Sequence, residues 1–397
     1  MRNRVTQGSI LNLLIIYERR FIPMKYKIYG EHDIDPNAIK QMDSAMELDF
    51  VIAGALMRDA HFGYSLPIGG VVATDNEVVP AWVGYDIGCG MCAVQTTFSL
   101  GEVEFHAEEI FEAIYKHVPV GFKHNDKPCQ WREFAEMPKT AFLQKMFWDK
   151  GGLKQLGTLG GGNHFIEIGH DEDLHVWIIV HSGSRNVGHS VATQYMKEAS
   201  YKHTDKFKAK EGHYWFDATS RLGTDYLKDM NLCLAFALKN REYILDRVET
   251  AMHSVIGHKD GMLWDTLINK THNHIEFVGD GFGYIHRKGA TQAYEGTEGV
   301  IPGNMRDGAF IVRGLGNEES LFSSSHGAGR VLGRKQAKEI LDLEVFTSEM
   351  DGIVAKVTEG TKDESPMAYK DIFAVMHDQK DLVEIVHHIK PIINVKG

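Results

Sequence analysis

The sequence predicts a mixed α+β fold in a single domain, on three observations. Apolar residues recur at helical spacing at Ile110, Phe111, Ile114, Tyr115 and Val118, and again from about 226 to 256 through Leu227, Met230, Leu234 and Leu238. Short apolar segments at 92–98, 175–180 and 309–312 read as strands. The two patterns do not alternate with a crossover every thirty or so residues, as a regular βαβ series would require, so a Rossmann or TIM architecture is not expected. No internal repeat or low-complexity linker divides the chain.

Taken in order, the chain opens with Arg2, Arg4 and an apolar run at 10–17 that contains Asn12. This run is too short to span a membrane, and Glu18, Arg19 and Arg20 follow it where a small-residue cleavage site would be needed. No targeting signal is read there. Residues 1–23 are expected to be an upstream extension, and Met24 to open the first strand of a domain covering 24–397. Next, Gly84-Tyr85-Asp86-Ile87-Gly88-Cys89-Gly90 puts a hard oxygen donor and a soft sulfur donor three positions apart on a turn between strands. A divalent transition ion accepts both donors. Alone, the pair also fits a turn-capping Asp and a buried small thiol.

Histidine supplies the remaining donors. There are 21 in 397 residues, and four stand at strand ends or in glycine-rich loops, where side chains can converge and backbone can approach a ligand closely. His164 follows Gly160-Gly161-Gly162-Asn163, His181 closes an apolar strand, and His272 precedes Asn273 among Ile268, Ile275 and Phe277. His326 stands between Ser323-Ser324-Ser325 and Gly327-Ala328-Gly329-Arg330, which read as a polar, flexible loop. Neither glycine run has GxGxxG spacing after a strand, and no GxxxxGK[ST] occurs. A phosphate cradle there would therefore be of another type, with Asn163, the three serines and His326 as its donors.

Composition bounds the remaining classes. Four cysteines, Cys89, Cys92, Cys129 and Cys233, are too few and too irregular for a disulfide framework and point to a reducing, cytoplasmic compartment. A net charge of −11 argues against a general nucleic-acid coat, though a local basic groove remains open. Arg185, Arg287, Lys288, Arg313 and Arg330 lie in or near the motif loops. Arg185 and Arg330 follow site histidines closely and are read as phosphate contacts.

The strings VGYDIGCGM, GTLGGGNHFIEI, HSGSR, IPGNM, FIVRGLGNEES, SSSHGAGR, MAYKDI and the terminal VKG, in that order from about Asp59 to Gly397, resemble the RtcB family of RNA ligases. The resemblance implies packed β-sheets with surrounding helices and a central metal-lined cleft. It leaves residues 201–265 as a variable helical region, with helical residues 190–260 on the outside. It also implies that His326 attacks the α-phosphate of GTP to form a histidine-GMP intermediate. Asp86, Cys89, His164, His181 and His272 would hold two Mn²⁺ ions, with the thiolate between them; His272 is taken over His274 on its His-Asn dipeptide. Asn163, Glu167, Pro302, Asn304, Met305, Gly327, Ala328, Gly329, Tyr369 and Lys396 would join His326 around the nucleotide, with Glu167 and Lys396 on guanine. The implied reaction joins RNA 2′,3′-cyclic phosphate or 3′-phosphate ends to 5′-hydroxyl ends, in RNA repair or tRNA splicing. It leaves room for an archease-like activator and calls for no membrane.

One segment departs from the family pattern. Ile301-Pro302-Gly303-Asn304-Met305-Arg306-Asp307-Gly308-Ala309 carries Asn304 and Ala309 where many members have serines. Asn can still donate to a guanine carbonyl and Ala cannot, so a shifted nucleotide affinity is expected. Two other classes stay open at this point. A metal-dependent phosphatase or cyclic phosphodiesterase would use the same ligands without GTP or Lys396. A non-catalytic RNA-binding relative would be expected to lack a metal ligand, and this chain lacks none.

Overall fold

Period-two alternation along four adjacent strands sorts the side chains at the centre of the molecule. In the computed structural model, which describes residues 26–203, 212–279 and 281–397, the strands Val383–Lys396, Phe165–His170, Val176–Ser182 and Gly90–Gln95 lie side by side. Cys92, Val94, Ile166, Ile168, Ile178, Val180, Ile393 and Val395 turn to one face. There they pack with Ile110 and Ile114 of helix Ala107–His117 and with Ile244, Leu245 and Val248 of the long helix Arg221–Val255. Met91, Ala93, Phe165, Trp177 and Ile179 form a second core on the opposite face. His181, Glu167, Asn394 and Lys396 are in step with this second set, so alternation alone brings them to one side.

This sheet continues through Ala309–Gly314 to Glu298–Pro302 at one end and to Ile268–Thr271 at the other, with Val354–Ala355 pairing beside Val383–Lys396. Val300 and Ile268, from the two end strands, share the inner core, so the sheet curls towards closure. A second sheet runs Lys27–Ile28, Val51–His61, Ile68–Thr74, Gly283–Lys288 and Asn273–Val278. His272 is the single residue between Ile268–Thr271 of the first sheet and Asn273–Val278 of the second, which places it where the two sheets meet.

The mixed α+β class is observed. Strands Gly90–Gln95, Val176–Ser182 and Ala309–Gly314 occupy the three expected segments, and helices Ala107–His117 and Arg221–Val255 the two helical runs. Residues 1–23 and Met24 lie outside the described residues, among which the first strand is Lys27–Ile28. Two expectations change. Ser323–Ser325 is a fully buried strand paired with Ala290–Gln292 and not a flexible loop, because the glycines that loosen the motif all follow His326. The long helix has an exposed face, but its inner face is polar in part where an apolar one is expected. Asn240 and Arg241 on it are completely buried, since its polar side chains satisfy backbone groups of the loops described below. Among the described residues, no helix is long and apolar enough to cross a membrane.

Candidate metal centre and active site

Cys89 sits in a turn in which its N–H donates to Asp86 O at 3.1 Å, directing both side chains the same way. Its flanking glycines have separate reasons. Gly88 adopts φ +77°, and a Cβ at Gly90 would collide with the Lys270 carbonyl on the neighbouring strand. The turn is fixed to the sheet junction by Gly88 N–H donating to Asn273 O and His272 N–H to Cys89 O. From behind, Arg241 Nη1 donates to Gly88 O at 3.0 Å and Ser182 O at 2.8 Å. Asn240 accepts from Gly157 N–H and donates to Thr158 O and Gly183 O, holding the loop before His164 against the end of the His181 strand.

The donors converge. Cys89 Sγ lies 3.5 Å from His164 Nε2 and 3.2 Å from His181 Nε2, and Asp86 Oδ2 lies 3.1 Å from His164 Nε2. Each imidazole has its other nitrogen engaged: His164 Nδ1 donates to Leu159 O and His181 Nδ1 to Asn163 O. This tautomer turns the Nε2 lone pairs towards the sulfur and the carboxylate. Burial pushes His181 and His272 well below the ordinary histidine value, so both rings are neutral and could act as ligands. Burial also raises the Cys89 thiol, which a cation would convert to thiolate. The ring of His272 stands 5.2 Å from that of His181. His274 instead bonds Thr271 Oγ1 and Arg287, away from the cluster. Lone pairs of O, S and N meeting in a buried space fit a borderline divalent ion, and such a set is costly to bury without one.

His326 adjoins this cluster, its ring 4.8 Å from that of His272. Its Nδ1 lies 2.6 Å from Oδ2 of the fully buried Asp59, which also accepts from the backbone N–H groups of His326 and Gly327. Burial works to raise the Asp59 carboxyl, but the charge and hydrogen bond of His326 outweigh it and hold the group below the usual range. With Nδ1 on Asp59, Nε2 is the nitrogen left for chemistry.

A cavity of about 320 Å³ opens beside it. Asn163, Glu167, Pro302, Asn304, Met305, His326, Gly327, Ala328, Gly329, Tyr369 and Lys396 all line it, as do His181 and Arg330. All eleven residues expected around a nucleotide are thus brought together, and His181 joins their space to the metal cluster. Burial raises Glu167 to about 8 against the opposing pull of Lys396 and Asn394. Lys396 Nζ donates to Glu364 at 2.6 Å and stands over the Phe165 ring. Glu364 also accepts from Tyr369 OH and Arg334. Burial would raise Glu364, but Lys396 and Arg334 bring it down to about 2.

Several expected groups are engaged elsewhere. Arg287 and Lys288 are buried: Arg287 bonds Glu276 and Ser323, and Lys288 bonds the carbonyls of Tyr64, Leu66 and Ala81, so neither contributes to a groove. Arg313 joins a surface ion cluster with Glu298 and Glu384. The hydroxyls of Ser323 and Ser324 bond the backbone carbonyls of Leu321 and Ser325 and are not cavity donors. One amide N–H of Asn304 donates to Asp307 and its oxygen caps the Arg306 and Asp307 N–H groups, which leaves its second amide N–H for a ligand. Arg185 donates to Thr158 Oγ1 and Gly121 O, bracing the ligand loop outside the cavity lining. Arg330 bonds Tyr369 OH and Asp363 O at the cavity wall.

Sequence reasoning gave no role to Asp59, Glu364, Arg334, Asn240 or Arg241. For Asp59 a signal existed: Arg58-Asp59 is a charged pair inside the otherwise apolar strand Val51–His61, and buried charge demands a partner. Glu364 and Arg241 stand in no pattern that sets them apart from surface charges.

Comparison with known proteins bears on the chemistry. A family model described as "tRNA-splicing ligase RtcB" matches residues 41–150 and 139–397. The chain is similar to the RNA-splicing ligase RtcB of Escherichia coli K12, 36% identical over 92% of this chain and 95% of that protein. The RNA-splicing ligase RtcB1 of another Escherichia coli strain gives the same identity and coverage. The tRNA-splicing ligase RtcB of Pyrobaculum aerophilum is 29% identical over 86% of this chain and 87% of its own length.

Proposed function

The chain belongs to the RtcB family of RNA ligases, and on that premise we propose that it is a GTP- and Mn²⁺-dependent enzyme joining RNA 3′-phosphate or 2′,3′-cyclic phosphate ends to 5′-hydroxyl ends. The observation that carries this reading is the orientation of His326, fixed through Nδ1 by Asp59 between the donor cluster and the cavity.

In this reading His326 Nε2 attacks the α-phosphorus of GTP. A P–N bond forms, the bond to the β-phosphate oxygen breaks and pyrophosphate leaves. Asp59, with Oδ2 2.6 Å from Nδ1, stabilises the positive charge that develops on the ring. A cyclic RNA end is first hydrolysed to a 3′-phosphate. An oxygen of that phosphate then displaces His326 from phosphorus, leaving RNA capped with GMP, and the 5′-hydroxyl attacks the RNA phosphorus and expels GMP. Asp86, Cys89, His164, His181 and His272 would hold the two ions, whose chemistry is to withdraw charge from phosphate oxygens. Glu167 and Lys396 orient the guanine, Asn163 contacts the phosphates, and Arg330, at the cavity wall, would contact the RNA phosphate. Arg185 acts on that path through the His164 loop.

Ligation of defined RNA ends with each component omitted in turn tests the proposal. Joining is expected only with Mn²⁺ and GTP together. Release of phosphate, or opening of the cyclic end alone, without any use of GTP would favour a metallohydrolase.

A further inference from the structure

Two buried oxygens in the cavity wall have no partner. Glu167 and Asn394 face each other across adjacent strands, both buried and both lining the cavity. Asn394 Nδ2 donates to Glu167 Oε2 at 3.1 Å. Among the described residues, nothing donates to Glu167 Oε1 or to Asn394 Oδ1. The amide orientation follows from the carboxylate beside it, since an NH₂ group facing Oε2 leaves the amide oxygen for the other side. Unpaired buried acceptors are costly, and a pair of them in a cavity wall is explained by a ligand that brings donors.

Donors elsewhere in the cavity lining are directed to other acceptors. Lys396 and Tyr369 bond Glu364, and one amide N–H of Asn304 bonds Asp307. What this part of the wall offers is two neighbouring acceptors. Guanine presents two neighbouring donors, N1–H and the exocyclic amine, on one edge. Adenine carries an acceptor at N1, which would meet an acceptor here, and hypoxanthine keeps N1–H but lacks the amine.

We infer that Asn394 is a specificity-determining residue of this pocket, its Oδ1 accepting from the exocyclic amine of guanine while Glu167 Oε1 takes N1–H. The inference rests on the reading of the cavity as a nucleotide site. Burial favours the protonated carboxyl of Glu167 in the free pocket, and donors from a base would shift it to the carboxylate. Asn394 also acts on Glu167, since its amide hydrogen bond fixes the carboxyl plane that the base meets.

The test is covalent nucleotide transfer to the full-length protein from α-labelled GTP and from α-labelled ITP, which differs from GTP only by the missing amine. The wild-type protein is expected to prefer GTP by about tenfold or more, the scale of one buried hydrogen bond. In Asn394→Leu and Asn394→Ala the loss is expected to fall on GTP, bringing the ratio towards one. Equal use of GTP and ITP by the wild-type protein would overturn the assignment without any variant. So would a wild-type ratio retained in either folded variant, and in that case the nucleotide site itself would stand. No transfer from any nucleotide to the wild-type protein would remove the underlying reading and the assignment with it.

Discussion

Asp59 Oδ2 lies 2.6 Å from His326 Nδ1, across 267 positions of sequence, and the same oxygen receives the backbone N–H groups of His326 and Gly327. One buried carboxylate therefore sets the placement of His326, the nucleophile of the proposed reaction. Asp59→Asn keeps the size of the side chain but removes the charge that supports a positive imidazole. Histidine-GMP formation should fall about a hundredfold or more, within the range for losing an acid–base partner. Single-turnover labelling measures it, and a rate within twofold of wild type would contradict the role given to Asp59.

Cys89 Sγ lies 3.5 Å from His164 Nε2 and 3.2 Å from His181 Nε2, between the two rings. Cys89→Ser replaces a large soft donor with a small hard one, so Mn²⁺ occupancy should fall before the fold is affected. Elemental analysis of protein equilibrated with Mn²⁺, alongside circular dichroism, checks this. Full occupancy with lost ligation would instead point to a chemical role for the thiol.

Glu167 carries a pH prediction. In the free protein burial holds it at about 8, so it is protonated below that value. A guanine edge that donates to the carboxylate stabilises the ionised form, and binding then expels a proton. Affinity for GTP should therefore rise by up to about tenfold per pH unit between 6 and 8 and level off above 8. Titrations across that range, with Glu167→Gln removing the dependence, provide the measurement. The same slope in Glu167→Gln would assign the titration to another group.

Arg241 ties the metal-loop turn to the His181 strand from inside the long helix. Arg241→Met leaves Gly88 O, Ser182 O and Asn269 Oδ1 without this donor and should cost about 2–4 kcal/mol. Urea unfolding reads the cost directly. A change below about 0.5 kcal/mol would show that the helix is dispensable to the site.

Asp86, Cys89 and the histidines were legible because ligand types and glycine-loosened turns are local properties of the chain. The eleven cavity residues were legible only through the resemblance, since nothing local in Tyr369 or Lys396 points at a pocket. The pairing of Asp59 with His326, and of Glu364 with Lys396 and Tyr369, was hidden because sequence spacing does not say which distant charges share a buried space. Ser323 to Ser325 read as a polar loop because strand pairing to Ala290–Gln292, and not side-chain polarity, decided their state. The polar part of the long helix's inner face was hidden because its buried polar residues, Asn240 and Arg241, look like solvated ones until their backbone partners are seen.

Covalent labelling tests the central claim most directly. Protein is incubated with Mn²⁺ and α-labelled GTP, and the adduct is mapped and tested for the acid lability of a phosphoramidate. One label on His326 is expected in the wild-type protein, with none in a folded His326→Ala variant. Label that persists in that variant, or transfers equally well from ATP, would contradict the account.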